Sequence, residues 1–242
     1  MSAAPTPMPR QLALAVALRE DASFENFVAD RNEALVASLR AVDTSHGESL
    51  IYVWGAAGSG KSHLLQAVCH DVKPPRQALY LPLQLKDDLA PEVFEGLERC
   101  AVVCIDDLEM IAGDRRWEEA LFNGFNRMRD FGTVLVVAAA VSSHALPWAL
   151  PDVASRMTWG ATWHVEPLDD RRKQDALIQR ARARGINMTE PVAQYIMRRY
   201  ARDTGSLFGL LDRLDEATLA EKKRLTVPFV KTLLDAHADA AN

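Results

Sequence analysis

The sequence predicts an α/β fold, in which a parallel sheet is followed by a small all-helical domain. Strand-like apolar runs alternate with helical patterns four times between residues 50 and 139, and such alternation is typical of parallel sheets. After residue 165 the strand patterns cease and only helical periodicity remains. We therefore expect a flexible tail over residues 1–22, an α/β base over 23–165 and a helical domain over 166–242.

The predicted elements follow from apolar runs and from the residues that interrupt them. Three prolines in the first ten residues favour a flexible tail, and helical spacing appears at 34–39. Buried strands are predicted at 50–54, 78–83, 100–105 and 133–139. Helices are predicted at 63–70, 85–99 and 117–128, and in the last part at 169–184, 190–202, 206–222 and 228–236. The helix at 169–184 has a basic face, formed by Arg171, Arg172, Lys173, Arg180, Arg182 and Arg184. We expect this face to be solvated, with a docking surface for a protein partner or DNA as the alternative.

Composition excludes several classes of protein. With 242 residues, of which 48% are hydrophobic, the chain can bury a core without metal or disulfide staples. A net charge of −5 argues against a surface that grips a polyanion everywhere, although it leaves room for a local basic patch. No apolar run reaches the roughly 18 residues of a membrane helix, and the three cysteines have no metal-ligand spacing. A reduced, cytoplasmic location without a membrane partner fits best.

The strongest chemical signal is segment 55–62, which reads G-A-A-G-S-G-K-S and matches the phosphate-binding pattern G-x-x-x-x-G-K-[ST]. A predicted strand precedes it and a predicted helix follows it, as that pattern requires. Backbone N–H groups of small residues can surround phosphate oxygens, Lys61 can reach the β- and γ-phosphates, and Ser62 can ligate Mg²⁺. A glycine-rich structural turn is the alternative. The loop residues predicted to bind nucleotide are Gly55, Ala57, Gly58, Ser59, Gly60, Lys61 and Ser62.

A pair of carboxylates follows the predicted strand at 100–105. Ligands of parallel sheets bind at the carboxyl ends of the strands, where Asp106 and Asp107 stand. We expect Asp106 to hold Mg²⁺ together with Ser62, and Asp107 to orient an attacking water as a catalytic residue. The strand that carries them should neighbour the strand before the phosphate loop. Two solvated loop acids are the alternative.

With these motifs in hand, the chain resembles the AAA+ ATPases, and within them the DnaA group with its regulatory Hda branch. Four features carry the resemblance: F-E-N-F-V at 24–28 with Asn32, the acidic pair, L-P-D-V-A-S-R-M at 150–157 and L-T-V-P-F-V-K at 225–231. The first is similar to the segment that lines the adenine in DnaA-type ATPases. The resemblance implies an AAA+ P-loop base domain with a helical lid, which binds ADP or ATP with Mg²⁺. It also implies nucleotide contacts from Phe27, Val28 and His63.

The same resemblance implies that Arg156 is an arginine finger. In the family, an arginine in this box crosses a subunit interface and neutralises charge on the γ-phosphate of a neighbour, which here would be DnaA. The alternative is a surface arginine paired with Asp152. The positions of the family's two polar sensors hold Ala140 and Gly205. Ser142 and Ser143 come slightly late for the first sensor, and Arg202 could replace the second only if the helix start were shifted. We therefore expect weak or no intrinsic ATP hydrolysis, with bound ADP as the resting state.

Residues 11–16, Q-L-A-L-A-V, are similar to the peptide with which the Hda branch binds the DNA polymerase III sliding clamp. Gln11 would bond at a pocket rim, and Leu12, Leu14 and Val16 would fill apolar pockets, although an ordinary strand or helix start is the alternative. The resemblance then implies a negative regulator of replication initiation that stimulates hydrolysis of DnaA-bound ATP and contacts DNA mainly through the clamp. It could act as a homodimer or a higher oligomer. The competing hypotheses are an autonomous DNA-associated ATPase of the helicase-loader type and a nucleotide-dependent scaffold without hydrolysis.

Overall fold

A computed structural model describes residues 18–19, 21–42, 48–200, 204–221 and 224–240. The predicted clamp-binding residues lie outside the described residues; they are Gln11, Leu12, Leu14 and Val16. None of the described helices is both long and apolar enough to cross a membrane.

Five parallel strands form one sheet in the order β2-β3-β4-β1-β5. The strands are β1 (Leu50–Trp54), β2 (Ala78–Pro82), β3 (Val102–Asp106), β4 (Val134–Ala139) and β5 (Ala161–His164). The prediction of a parallel sheet is confirmed. The expectation that β3 neighbours β1 is wrong, because β4 pairs with both and separates them. The ends of β1 and β3 are thus two strand spacings apart, or about 10 Å.

Helices cover both faces of the sheet, and alternate strand residues pack against them. The helices of the base are α1 (Glu33–Arg40), α2 (Lys61–Asp71), α3 (Arg115–Phe131) and α4 (Pro151–Arg156). In β1, Ile51 and Val53 pack in the core that contains α1 and α2, whereas Tyr52 packs in the core that contains α3 and α4. These strand residues are fully buried, which explains why the strands read as continuous apolar runs.

The helix predicted at 85–99 is wrong. The chain there forms three short 3₁₀ segments, at Leu83–Asp88, Pro91–Phe94 and Leu97–Arg99. Ala90 is extended at φ −120° and ψ 154°, as expected for a residue before proline. Gly96 is left-handed at φ 80°, so the apolar spacing cannot continue as one α-helix.

The last part of the chain is helical, as predicted. It contains α5 (Asp170–Ala183), α6 (Glu190–Tyr200), α7 (Thr204–Glu221) and α8 (Val227–Ala240). Leu177, Ile196 and Leu211 are fully buried in their shared core. The expected solvation of the basic face of α5 is wrong at Arg180, which is buried and forms an ion pair with Asp21 of the base. The basic face therefore packs partly against the segment before α1.

Candidate nucleotide-binding site

The segment between β1 and α2 needs glycine at particular points. Gly58 and Gly60 have φ values of 73° and 102°, a left-handed region that residues with a Cβ rarely adopt. A Cβ on Gly60 would also lie 2.7 Å from the ring of Phe27, and one on Gly55 would lie 2.9 Å from the carbonyl oxygen of Val165. The loop therefore curves tightly before α2 begins at Lys61, which directs the amino terminus of α2 toward the loop.

The ammonium group of Lys61 lies inside this curve. Its Nζ donates to the carbonyl oxygens of Gly55 at 2.8 Å and Ala56 at 3.1 Å, and the residue is 8% exposed. Ser59 Oγ is buried and makes no hydrogen bond within the described part of the chain. Because a buried hydroxyl without a partner is costly, a phosphate oxygen would suit this position. Ser62 follows at the exposed start of α2.

A cleft of about 210 Å³ opens beside the loop. Most of the predicted nucleotide contacts line it, namely Phe27, Val28, Gly58, Ser59, Gly60, Lys61, Ser62 and His63. Gly55 and Ala57 do not line it: Gly55 is buried at the base of the loop and Ala57 is exposed. Asn26 and Asn32, which belong to the segment that the resemblance expects beside the adenine, also line the cleft. Three further lining residues were not predicted as site residues; they are Arg19, Glu166 and Leu168.

One wall of the cleft is formed by Phe27 and His63, whose rings are 5.9 Å apart. The Nε2 atom of His63 lies 2.8 Å from the carbonyl oxygen of Ser23. Burial lowers the pKa of His63 from its ordinary value of 6.5, which favours the neutral form of the ring. A neutral, aromatic wall suits a nucleobase better than a phosphate.

Asn32 connects the first part of the base in sequence with the residues that follow its last strand. Its Nδ2 donates to the carbonyl oxygen of Glu166 at 3.0 Å, and its Oδ1 accepts from the N–H of Glu166 at 2.9 Å. Asn32 is 3% exposed, and Glu166 begins the connection from β5 to the lid. The side chain thus fixes the linker at the edge of the cleft. The two residues are 134 positions apart, so no local pattern could predict this pairing.

Asp106 is fully buried at the end of β3. Its Oδ2 accepts from the hydroxyl of Tyr80 at 2.7 Å, and its Oδ1 accepts from the N–H of Asp107 at 3.0 Å. Burial and the charge of Asp106 raise the pKa of Tyr80, so the phenol stays a hydrogen-bond donor. These bonds orient the carboxylate. The alternative, a solvated loop acid, does not explain its burial or its two hydrogen bonds.

Asp107 follows in the left-handed conformation, at φ 56°. Burial raises its pKa from 3.8 to about 6, with contributions from the charges of Asp106 and Glu109. Lys61 lowers the same pKa, so the phosphate loop and the acidic pair interact electrostatically despite the strand between them. A carboxylate that titrates near neutrality is suited to accept a proton.

The oxygen atoms at this edge of the sheet fit a magnesium nucleotide. Ser62 and Asp106 carry oxygen atoms of the hard type that Mg²⁺ prefers, and phosphates and water would supply the remaining ligands of a bound ion. Within the described ranges no three His, Cys, Asp or Glu side chains form a site that could hold a metal by themselves.

Arg156 lies far from this cleft. It ends α4, and the nearby Trp159 lines a small cavity with Ser49 and Leu50, at the start of β1. The phosphate loop follows the other end of β1, about 13 Å away along the strand. Within the described part of the chain Arg156 forms no ion pair, so the predicted alternative, pairing with Asp152, is not seen.

The two sensor positions carry no polar side chain. Ala140 follows β4 directly, and its N–H donates to Oε2 of Glu109 at 3.1 Å. Gly205 lies in the first turn of α7. Glu109 is thus the side chain that contacts Ala140, and its carboxylate, like a phosphate, is negatively charged.

Comparison with known proteins gives two family matches and many similar structures. Residues 18–164 match the family described as the bacterial DnaA ATPase domain, and residues 170–234 match the lid domain of Hda. Domain III of the Thermotoga maritima replication initiation protein DnaA is 21% identical, with a TM-score of 0.75 over 90% of this chain and 98% of that chain. The replication initiator DnaA bound to AMPPCP and single-stranded DNA is 18% identical, with a TM-score of 0.68 over 85% of this chain and 69% of that one. The Thermotoga maritima RuvB Holliday junction branch migration motor is 16% identical, with a TM-score of 0.64 over 90% and 72%.

Proposed function

Because the chain belongs to the bacterial DnaA ATPase-domain family and its helical part matches the Hda lid, we propose that it is a negative regulator of replication initiation. It binds ADP or ATP with Mg²⁺ in its own cleft. Through Arg156 it promotes hydrolysis of the ATP that a neighbouring DnaA molecule holds. Hydrolysis ends the ability of that DnaA molecule to initiate replication.

The observation that carries this proposal is the position of Arg156 at the edge of the sheet opposite its own phosphate loop. A guanidinium there cannot contact a nucleotide in the cleft lined by Lys61 and Phe27, but it is available to a second molecule. An arginine that reaches a neighbour's γ-phosphate neutralises charge that develops in the transition state. The position therefore supports action in trans.

The chain's own nucleotide has a structural role in this proposal. Ala140 and Gly205 offer no polar side chain to a γ-phosphate, whereas the phosphate loop and the cleft are complete. A bound nucleotide would contact both the base and the linker to the lid, because Glu166 and Leu168 of that linker line the cleft. Weak or absent intrinsic hydrolysis follows, and ADP serves as well as ATP.

Sliding-clamp binding by Gln11, Leu12, Leu14 and Val16 is the second part of the proposal. Tethering to a clamp raises the effective concentration of the regulator near DNA and near DnaA. The net charge of −5 suits a protein that contacts DNA mainly through the clamp. The competing hypothesis of an autonomous DNA-associated ATPase requires intrinsic hydrolysis that responds to DNA alone.

The deciding experiment measures conversion of DnaA-bound ATP to ADP on clamp-loaded DNA. Arg156→Ala should lower the rate at least a thousandfold while nucleotide and clamp binding stay near wild type. Arg156→Lys should rescue poorly, because an ammonium lacks the planar set of donors. Arg115→Ala, which removes an exposed arginine at the start of α3, is the matched control. Near-normal conversion by Arg156→Ala would refute action in trans, and loss of the chain's own nucleotide would show action in cis.

The clamp contact has a separate test. The double substitution Gln11→Ala and Leu12→Ala should abolish binding to immobilised sliding clamp and leave nucleotide affinity unchanged. Conversion of DnaA-bound ATP should then lose its dependence on the loaded clamp. Equal clamp affinity of the double variant and the wild type would remove this part of the proposal. ATP turnover by the chain with DNA alone, without DnaA, would favour the autonomous ATPase.

A further inference from the structure

The guanidinium of Arg156 lies close to two aromatic rings. Its Cζ atom is 3.8 Å from the centroid of the Trp159 ring and 5.6 Å from that of the Phe122 ring. Since no carboxylate pairs with Arg156 among the residues the structure describes, stacking and not ion pairing orients the group. Cations are attracted to the faces of aromatic rings, most strongly to that of tryptophan.

Trp159 itself is held from several sides. Its backbone N–H donates to the backbone carbonyl oxygen of Arg156 at 3.1 Å, and its ring meets that of Phe125 edge to face at 6.3 Å and 77°. The next residue is Gly160, where a Cβ would lie 1.9 Å from the carbonyl oxygen of Leu50, so the backbone sits directly on the start of β1. Even so, 56% of Trp159 is exposed. The indole is a fixed side chain on an open surface.

Among the residues that the structure describes, none accepts a hydrogen bond from the guanidinium of Arg156. The five N–H donors of a guanidinium lie in its plane, while an aromatic ring covers only its face. A carboxylate partner would instead occupy two of the donors that a phosphate needs. Stacking is therefore the contact that can hold the side chain in one place without competing with a phosphate.

We propose that Trp159 is a positioning residue, which with Phe122 holds Arg156 in the orientation that meets the phosphate of a neighbouring molecule. The inference rests on the proposed function of Arg156 in trans. Pre-orientation matters because an arginine on an open surface otherwise samples many rotamers, and only one orientation places its donors where charge develops.

The substitutions that test this compare the aromatic face with simple bulk. Trp159→Leu keeps an apolar side chain against Phe125 but removes the aromatic face, whereas Trp159→Phe restores a smaller face. Phe131→Leu is the matched control, because Phe131 is 74% exposed at the end of α3 and makes no ring contact with Arg156. Circular dichroism establishes that each variant is folded.

The kinetic measurement separates positioning from docking. In the assay of DnaA-bound ATP on clamp-loaded DNA, Trp159→Leu should lower the maximal rate about tenfold to a hundredfold. The half-saturating concentration of the regulator should stay unchanged, and Trp159→Phe should recover most of the rate. A raised half-saturating concentration with an unchanged maximal rate would overturn the proposal, since Trp159 would then be only a contact surface for DnaA.

A second measurement needs no DnaA and so separates this inference from the proposed function. In nuclear magnetic resonance spectra of arginine-labelled protein, the side-chain protons of Arg156, assigned with Arg156→Lys, should show an upfield ring-current shift. Trp159→Leu should abolish that shift, and Trp159→Phe should retain part of it. An Arg156 resonance that is identical in wild type and Trp159→Leu would refute the stacking. If the shift is present while Arg156→Ala converts DnaA-bound ATP normally, the proposed function fails and the positioning of the side chain stands.

Discussion

Replacing Asn32 with alanine tests the connection between the base and the linker to the lid. The substitution removes two hydrogen bonds with Glu166, of 3.0 and 2.9 Å, from a side chain that is 3% exposed. A neutral hydrogen bond contributes roughly 1 kcal/mol, and leaving its partner unsatisfied costs more. Asn32 precedes α1 but makes no capping bond with its side chain, so no cap is lost. We expect the free energy of unfolding to fall by about 2–3 kcal/mol.

Tryptophan fluorescence during urea unfolding measures this loss in the base alone, because all five tryptophans lie before the lid helices. Asn26→Ala is the matched control: Asn26 also lines the cleft, but its side chain donates one exposed hydrogen bond, to the carbonyl oxygen of Asp21 at 2.9 Å. Its loss should cost at most about 1 kcal/mol. Calorimetry should show weaker ADP binding for Asn32→Ala, because the linker is no longer fixed at the cleft. Equal unfolding midpoints for the two variants would refute the reasoning.

Three further substitutions test the loop, the acidic pair and the support of α4. Lys61→Ala should weaken ADP binding at least tenfold by calorimetry, because it removes a charged contact to phosphate. Asp107→Asn should change how stability depends on pH. The pKa of Asp107 is about 6 in the folded chain, against an ordinary value of 3.8. Its carboxyl group therefore stabilises the fold fully below pH 3.8, and this stabilisation is lost as pH rises through 6. Unfolding free energies measured from pH 4 to 8 should therefore fall less steeply in the variant. Glu118→Gln should destabilise the base by roughly 2–4 kcal/mol in urea unfolding, because this fully buried carboxylate accepts from the N–H groups of Gly113, Ala149 and Leu150.

Each of these has a matched control. Lys86→Ala removes a lysine outside the cleft and should leave ADP affinity intact; a similar loss in both variants would mean that the loop has no special role. Asp152→Asn removes an exposed carboxylate and should keep the wild-type pH profile, so identical profiles for all three proteins would contradict the shifted pKa. Glu119→Gln removes an exposed partner of Arg115 and should cost little. A Glu118→Gln variant as stable as Glu119→Gln would show that the three N–H groups find other acceptors.

The chemistry of the cleft could be predicted wherever its residues are contiguous in the chain. The phosphate loop is a short segment whose backbone conformation requires glycine at Gly58 and Gly60, so the sequence itself carries the signal. Asp106 was identifiable because a carboxylate ends an otherwise apolar strand. The order of the strands was not predictable in the same way, because β4 follows β3 in the chain but lies between β3 and β1 in the sheet.

Other features could be found only in the folded structure, because they join residues that are distant in sequence. Asn32 meets Glu166, Glu118 holds the entry to α4, and Arg180 reaches Asp21 only once the lid packs against the base. The same is true of Tyr80, which orients Asp106 from the adjacent strand.

The sequence alone determined the alternation of strands and helices, the phosphate loop and the box that contains Arg156, because each is specified by local spacing and residue type. Only the tertiary structure decided that Arg156 stands apart from its own cleft and stacks on Trp159. Which edge of a sheet a side chain occupies depends on how the whole chain crosses the sheet. The partners of a side chain depend on packing between segments whose spacing in sequence carries no information about their distance.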